Sequence, residues 1–261
     1  MKRTMLFDRL FGWFFRGGSA ESAEEVFGKR VSASRKRMHD KPIADYFEAV
    51  RLNPKDARVY YNRGVAYGRK GETDTAIADF TEAIRRDPNF VKAYSSRGAA
   101  YASKGEHDKS IADFTRAIQL SPKDAAAYSN RGAAHGRKGE LDMAIADFTE
   151  AIRLNPKDAQ AYYKRGIAYD NKGELDKAIT DFSETIRLNP KDAEAYCSRG
   201  VAYGRKGEHD KSIADFTEAI RLNPKDVDAF YSRGDAYQKQ GKIAKAEEDF
   251  DKAKKLGSGR Q

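Results

Sequence analysis

From residue 57 onward, apolar and polar positions alternate with a helical rhythm that resets every 34 residues. In the stretch 193–226, AEAYCSRGVAYGRKGEHDKSIADFTEAIRLNPKD, two helices are predicted from local chemistry. Asp192 precedes the first run as an N-cap, its carboxylate able to accept from free backbone N–H groups. Gly207 closes that run where the chain must turn out of the helix with positive φ. The second run begins near Asp210, whose charge suits the positive end of a helix dipole. Ile213, Phe216, Ala219 and Ile220 lie along it at helical spacing and form one apolar stripe. Pro224 ends it, because proline lacks a donor and clashes with the preceding turn. The product is an antiparallel helical hairpin.

The hairpin recurs. Gly64, Gly98, Gly132, Gly166, Gly200 and Gly234 fall in one column, and Phe80, Phe114, Phe148, Phe182, Phe216 and Phe250 in another. Six copies cover 57–90, 91–124, 125–158, 159–192, 193–226 and 227–260, which is 204 of 261 residues. A single hairpin buries too little apolar surface to offset the entropy of ordering it, so each must stack on its neighbours. Residues 42–56 carry Ile43, Tyr46, Phe47, Ala49, Val50 and Leu52 followed by Asn53-Pro54, which matches a second helix without a first partner. The segment is expected to pack against the first full hairpin. At the other end, the isoleucine column of Ile213 becomes Glu247 and that of Ile220 becomes Lys254, while Phe250, Ala253 and Leu256 are kept. An outward stripe that turns polar is how a repeat array is capped, so no hairpin is expected after Leu256, only a frayed tail from Gly257.

With Tyr196, Gly200, Tyr203, Ser212, Phe216, Ala219 and Pro224 at its signature places, the unit resembles a tetratricopeptide repeat. The resemblance implies an all-α, right-handed superhelical solenoid whose concave face binds proteins or peptides without catalysis. It further implies that first helices line that face, at the second, fifth, sixth, ninth, twelfth and thirteenth positions of each unit. Those places hold Tyr61, Asn62 and Arg69 in the first unit, Asn130 and Arg137 in the third, and Tyr163, Lys164 and Asn171 in the fourth. Arg205 and Tyr231 follow in the fifth and sixth. The tyrosines can anchor a ligand, a role in which tyrosine is over-represented. Arg69, Arg137 and Arg205 recur in alternate units and can grip carboxylates in bidentate fashion, so an acidic peptide is the expected partner. The clamp by which chaperone-binding members hold a C-terminal carboxylate needs Lys and Asn at the fifth and ninth positions of one unit. Tyr61 with Val65, or Ser95 with Ala99, does not supply it.

Two columns depart from the family pattern. Arginine stands at 63, 97, 131, 165, 199 and 233, where the family often has leucine, and aspartate at 79, 113, 147, 181, 215 and 249. In an antiparallel hairpin the two fall at similar heights. They are read as a repeated Arg–Asp bridge, with two independent solvated columns as the alternative.

Charge adds little to this picture. The formal balance is +9, of which residues 1–41 supply ten Lys/Arg against five Asp/Glu. The remaining excess is spread too thinly over the array to favour nucleic acid. Residues 1–18, MKRTMLFDRLFGWFFRGG, stand apart: Phe7, Leu10, Phe11 and Phe14 share one helical face, with Asp8, Arg9, Gly12 and Arg16 largely opposite. The apolar stretch is shorter than the ~20 residues that span a bilayer. Three readings stay open: an interfacial membrane anchor, a helix docking onto the array or a partner, and a disordered or mis-started tail; an export signal is the minor option. Residues 19–41 form a polar, basic linker in which Arg30 occupies the glycine column.

Candidate chemistry is sparse. Cys197 is the single cysteine, so no internal disulfide is available and a reducing, cytoplasmic setting fits, peripheral to a membrane if the first segment anchors. It is read as a small groove-lining residue. His107 and His209 share a column with two units between them, and His135 replaces a tyrosine and is expected to be packed. The glycines lack the Gly-Lys-Ser/Thr ending of a phosphate loop. No cofactor, metal ligand set or catalytic constellation is expected, and the chain is read as a non-enzymatic scaffold. The alternatives are a membrane-tethered assembly or co-chaperone-like factor and, last, a basic helical-repeat nucleic-acid binder.

Overall fold

A computed structural model describes residues 43–258. The segments 1–18 and 19–41, with the anchor, docking and linker readings attached to them, lie outside the described residues, as do residues 259–261. Thirteen helices appear among the described residues. Helix α1 covers 43–52. Six pairs follow: α2 Ala57–Lys70 with α3 Thr73–Arg86, α4 Val91–Ser103 with α5 His107–Leu120, and α6 Ala125–Arg137 with α7 Leu141–Leu154. Then come α8 Ala159–Asn171 with α9 Leu175–Leu188, α10 Ala193–Arg205 with α11 His209–Leu222, and α12 Val227–Lys239 with α13 Ile243–Ser258. No strand occurs among the described residues.

On the first helices of the pairs the caps follow the local chemistry with one exception. The carboxylates of Asp56, Asp124, Asp158, Asp192 and Asp226 accept from backbone N–H groups in the first turns of α2, α6, α8, α10 and α12. Helix α4 follows Phe90 and has no side-chain cap. At the far end of α10, Gly207 adopts φ +77. Its N–H donates to the Gly204 carbonyl at 3.0 Å, and the Glu208 N–H to Tyr203 at 2.9 Å, which satisfies the last carbonyls of the helix. Helix α11 starts at His209, one residue before the position read from the sequence, with Asp210 inside its first turn.

Within a hairpin the two helices cross at their glycine and phenylalanine columns. A Cβ on Gly166 would lie 2.8 Å from Phe182 Cε1, so only glycine admits this approach. Phe80, Phe114, Phe148, Phe182 and Phe216 are all buried. The cluster around Phe182 includes Ala202 of the next unit, so burial is shared between repeats. Ile43 and Tyr46 of α1 pack with Tyr67 and Phe80, and Val50 with Tyr60. First helices touch the first helices of adjoining units, whereas second helices do not touch one another. The first helices therefore form the inner wall of the curve. At the end of the array Glu247 and Lys254 are exposed while Ala253 is buried. The tail expected from Gly257 differs: α13 stays helical through Ser258.

All six Arg–Asp bridges form. Each arginine donates from Nε and Nη2 to both oxygens of its aspartate at 2.7–2.9 Å, from Arg63–Asp79 through Arg233–Asp249. The geometry is the bidentate fork of a guanidinium on a carboxylate. The remaining nitrogen, Nη1, reaches back one unit. Arg97, Arg131, Arg165, Arg199 and Arg233 donate to Thr81, Thr115, Thr149, Ser183 and Thr217 at 2.9–3.1 Å. Arg63 has no such hydroxyl behind it; its guanidinium lies 4.7 Å above the centre of the Phe47 ring. A second ladder runs along the surface, where Lys104, Lys138, Lys172 and Lys206 pair with Asp74, Asp108, Asp142 and Asp176 of the preceding unit. One buried set and one exposed set of ionic contacts thus fix the stacking register.

Candidate groove along the first helices

Helices α2, α4, α6, α8, α10 and α12 present one continuous inner surface. Asn62, Arg69, Asn130, Arg137 and Asn171 are exposed on it, and Lys164 is half-buried. Arg69 and Arg137 pair with no side chain among the described residues. Arg205 differs from the expectation of a free guanidinium. It forms an ion pair with Asp170 at 2.5 Å and donates to the Asp170 carbonyl at 3.2 Å. Asp170 is the one acidic residue at the twelfth position of any unit, so the pairing is particular to this point of the array.

The three tyrosines also differ from one another. Tyr61 is half-buried, its ring tilted against Phe80 and Phe90 at centroid distances of 5.8 and 5.0 Å. The Tyr163 hydroxyl lies 3.1 Å from Ser198 Oγ, and burial pushes its pKa up to about 12. Tyr231 is 63% exposed, resting on Phe250 at 5.2 Å. The sequence pattern did not single out the Thr/Ser column that anchors the arginines. The only available signal for that column was a hydroxyl two residues after five of the six aspartates.

Between α10, α11 and α12 the surface opens into a pocket continuous with solvent. Val201, Gly204, Arg205, Tyr231 and Asp235 line it. Cys197, nearby on α10, is a protonated thiol at neutral pH, because burial pushes its pKa up to about 12. His135 is buried, with Nδ1 2.6 Å from Glu140 Oε2 and Nε2 3.9 Å from Asp147 Oδ2. His107 and His209 open α5 and α11, three units apart. Among the described residues no group of three or more His, Cys, Asp or Glu side chains converges as a metal site. Within the same residues no helix is long and apolar enough to cross a membrane.

Family models described as TPR repeat and tetratricopeptide repeat match residues 39–71, 57–90, 98–139, 125–158, 148–180, 170–207, 205–241 and 227–257. The chain belongs to the tetratricopeptide repeat family. Among solved structures, MamA is 34% identical at TM-score 0.60, over 62% of this chain and 95% of that one. YrrB, described as a TPR protein with an unusual peptide-binding site, shares the fold at TM-score 0.63 and 23% identity, over 72% and 97% of the two chains. A tetratricopeptide repeat protein from Parabacteroides merdae ATCC 43184 aligns over 90% of this chain and 93% of its own, with TM-score 0.65 and 22% identity. Comparison with curated proteins gives no match. As a tetratricopeptide array, the chain is a protein–protein interaction scaffold of the all-α solenoid class.

Proposed function

We propose that this scaffold acts without catalysis by holding an acidic peptide in the groove along the first helices. The observation that carries the reading is the distribution of charge on the inner wall. The groove positions of the first three units hold four cations, Arg58, Arg69, Lys92 and Arg137, and no carboxylate. Arg58 is already paired with Asp56, which leaves Arg69, Lys92 and Arg137 to meet a ligand. Their neighbours are small or amidic, with Gly68, Ala99, Asn130, Ala133 and Gly136 leaving room for a peptide backbone. A guanidinium beside a cleft recognises a carboxylate by charge and by fork geometry together.

Arg205, committed to Asp170, is set aside as a ligand contact, and the test rests on the free pair. The full chain and its Arg69→Glu/Arg137→Glu variant are compared in affinity capture followed by mass spectrometry. Acidic-segment partners should be depleted at least tenfold in the variant, equivalent to ~1.4 kcal/mol, with helical content and melting temperature unchanged. Equal capture by both proteins would remove the groove assignment.

A further inference from the structure

The two halves of the groove differ in chemistry, and the difference names the ligand more closely. In units four to six the same groove positions hold Lys164, Arg205 and Lys239 against Asp170, Glu194, Asp228 and Asp235. Two of those acids are already matched, Asp170 by Arg205 at 2.5 Å and Asp235 by Lys239 at 2.7 Å. What remains unmatched at this end is one cation, Lys164, and two acids, Glu194 and Asp228, so the cationic character of the first half is lost.

Exposed apolar surface replaces it. Among the described residues, the large apolar side chains exposed on first helices are Val201, at 43%, and Tyr231, at 63%. Both border the pocket between α10 and α12, one on each wall. The floor has space because position 204 is glycine: a Cβ there would come within 3.3 Å of Ser212 Oγ. Every other exposed large apolar residue lies on α1 or on a second helix, away from the inner wall.

We infer that the groove selects a peptide with two separated features: an acidic run over units one to three, and an aromatic or large aliphatic side chain seated in the pocket of units five and six. This inference rests on the groove reading above and adds the anchor, its place and its distance from the acids. Unit three and the pocket are about three inner-helix steps apart. At roughly 8–10 Å per step the separation is ~25–30 Å, or about eight or nine residues of extended chain. The residues flanking the anchor are neutral or basic, since Glu194 and Asp228 disfavour a carboxylate there.

Three fluorescein-labelled peptides test this against the full chain by anisotropy. The first carries five glutamates, an eight-residue Gly/Ser spacer and Phe-Lys, made in both chain directions. The second replaces Phe by Ser, and the third replaces every Glu by Gln. In one direction the first peptide should bind at least tenfold tighter than either control. Val201→Glu should erase the advantage of Phe while leaving the Ser peptide within twofold. Arg69→Glu/Arg137→Glu should erase the advantage of Glu while keeping the preference for Phe over Ser, and circular dichroism melts establish that both variants are folded. Equal binding of the Phe and Ser peptides, or equal loss of both in Val201→Glu, would overturn the anchor and leave the acidic groove standing. Failure of every peptide to bind would overturn the anchor and the groove reading together.

Discussion

Removing the Asp181 carboxylate would strand the Arg165 guanidinium, which is 17% exposed at its side chain and holds Thr149 of the preceding unit as its other partner. Breaking a buried pair by deleting one member costs more than the pair contributes, because the surviving charge keeps its desolvation penalty without its counter-charge. Asp181→Ala should therefore destabilise the array by about 3 kcal/mol, read as a lower urea midpoint with the slope retained. The paired replacement Arg165→Met/Asp181→Leu should recover at least half of that loss, since a buried ion pair exchanged for apolar side chains of similar volume is often neutral. A loss within ~0.5 kcal/mol for Asp181→Ala would instead describe a solvated column. The bridge itself was legible in the sequence, because two columns of opposite charge recur together in every unit. Its third contact was not: a hydroxyl at 81, 115, 149, 183 or 217 looks the same whether it meets solvent or a guanidinium. Only the stacking of unit on unit decides which.

At the scale of the helix pair, glycines that look alike in the sequence carry different loads. Gly166 faces Phe182 Cε1 at 2.8 Å from where a Cβ would stand, inside the buried crossing of α8 and α9. Gly68, on α2, has only the Ala76 Cβ within reach, at 3.9 Å. Gly166→Ala should cost ~1–3 kcal/mol, because the crossing is full and the ring cannot retreat. Gly68→Ala should be neutral or stabilise by up to about 1 kcal/mol, since alanine loses less backbone freedom on entering a helix. Thermal melts of the two variants decide this, and equal effects would mean that the crossing has room for a methyl group. The hairpins were legible because proline, glycine and the apolar stripe repeat in phase. The Arg205–Asp170 pair was not, for a geometric reason. It joins the thirteenth position of one unit to the twelfth of the unit before, 35 residues away. Which of those positions meet depends on the twist between hairpins, and no column of one sequence encodes that twist.

Over the whole molecule, stability passes from neighbour to neighbour, so the ends behave differently from the middle. An inner unit is held on both sides: its arginine reaches back to one hydroxyl, and its own hydroxyl receives the arginine of the next. At the C-terminal end this exchange stops, with Asp251 standing where Thr217 stood and Gln240 taking the lysine place of the surface ladder, its amide donating to Asp210 at 2.8 Å. The outer stripe stops with it. Glu247 and Lys254 are exposed where the aligned isoleucines at 145 and 152 are half-buried and buried beneath the next hairpin. These two charges keep α13 from offering the surface on which a seventh hairpin, or the first hairpin of another molecule, would stack. Glu247→Ile/Lys254→Ile should restore that surface and produce end-to-end association, visible in light scattering as a mass that rises with protein concentration. Association through an exposed terminal stripe is heterologous, so it should run on into open chains rather than close as a dimer. A mass that stays at that of the unmutated chain across the concentration range would mean that solvation of α13 depends on more than these two side chains.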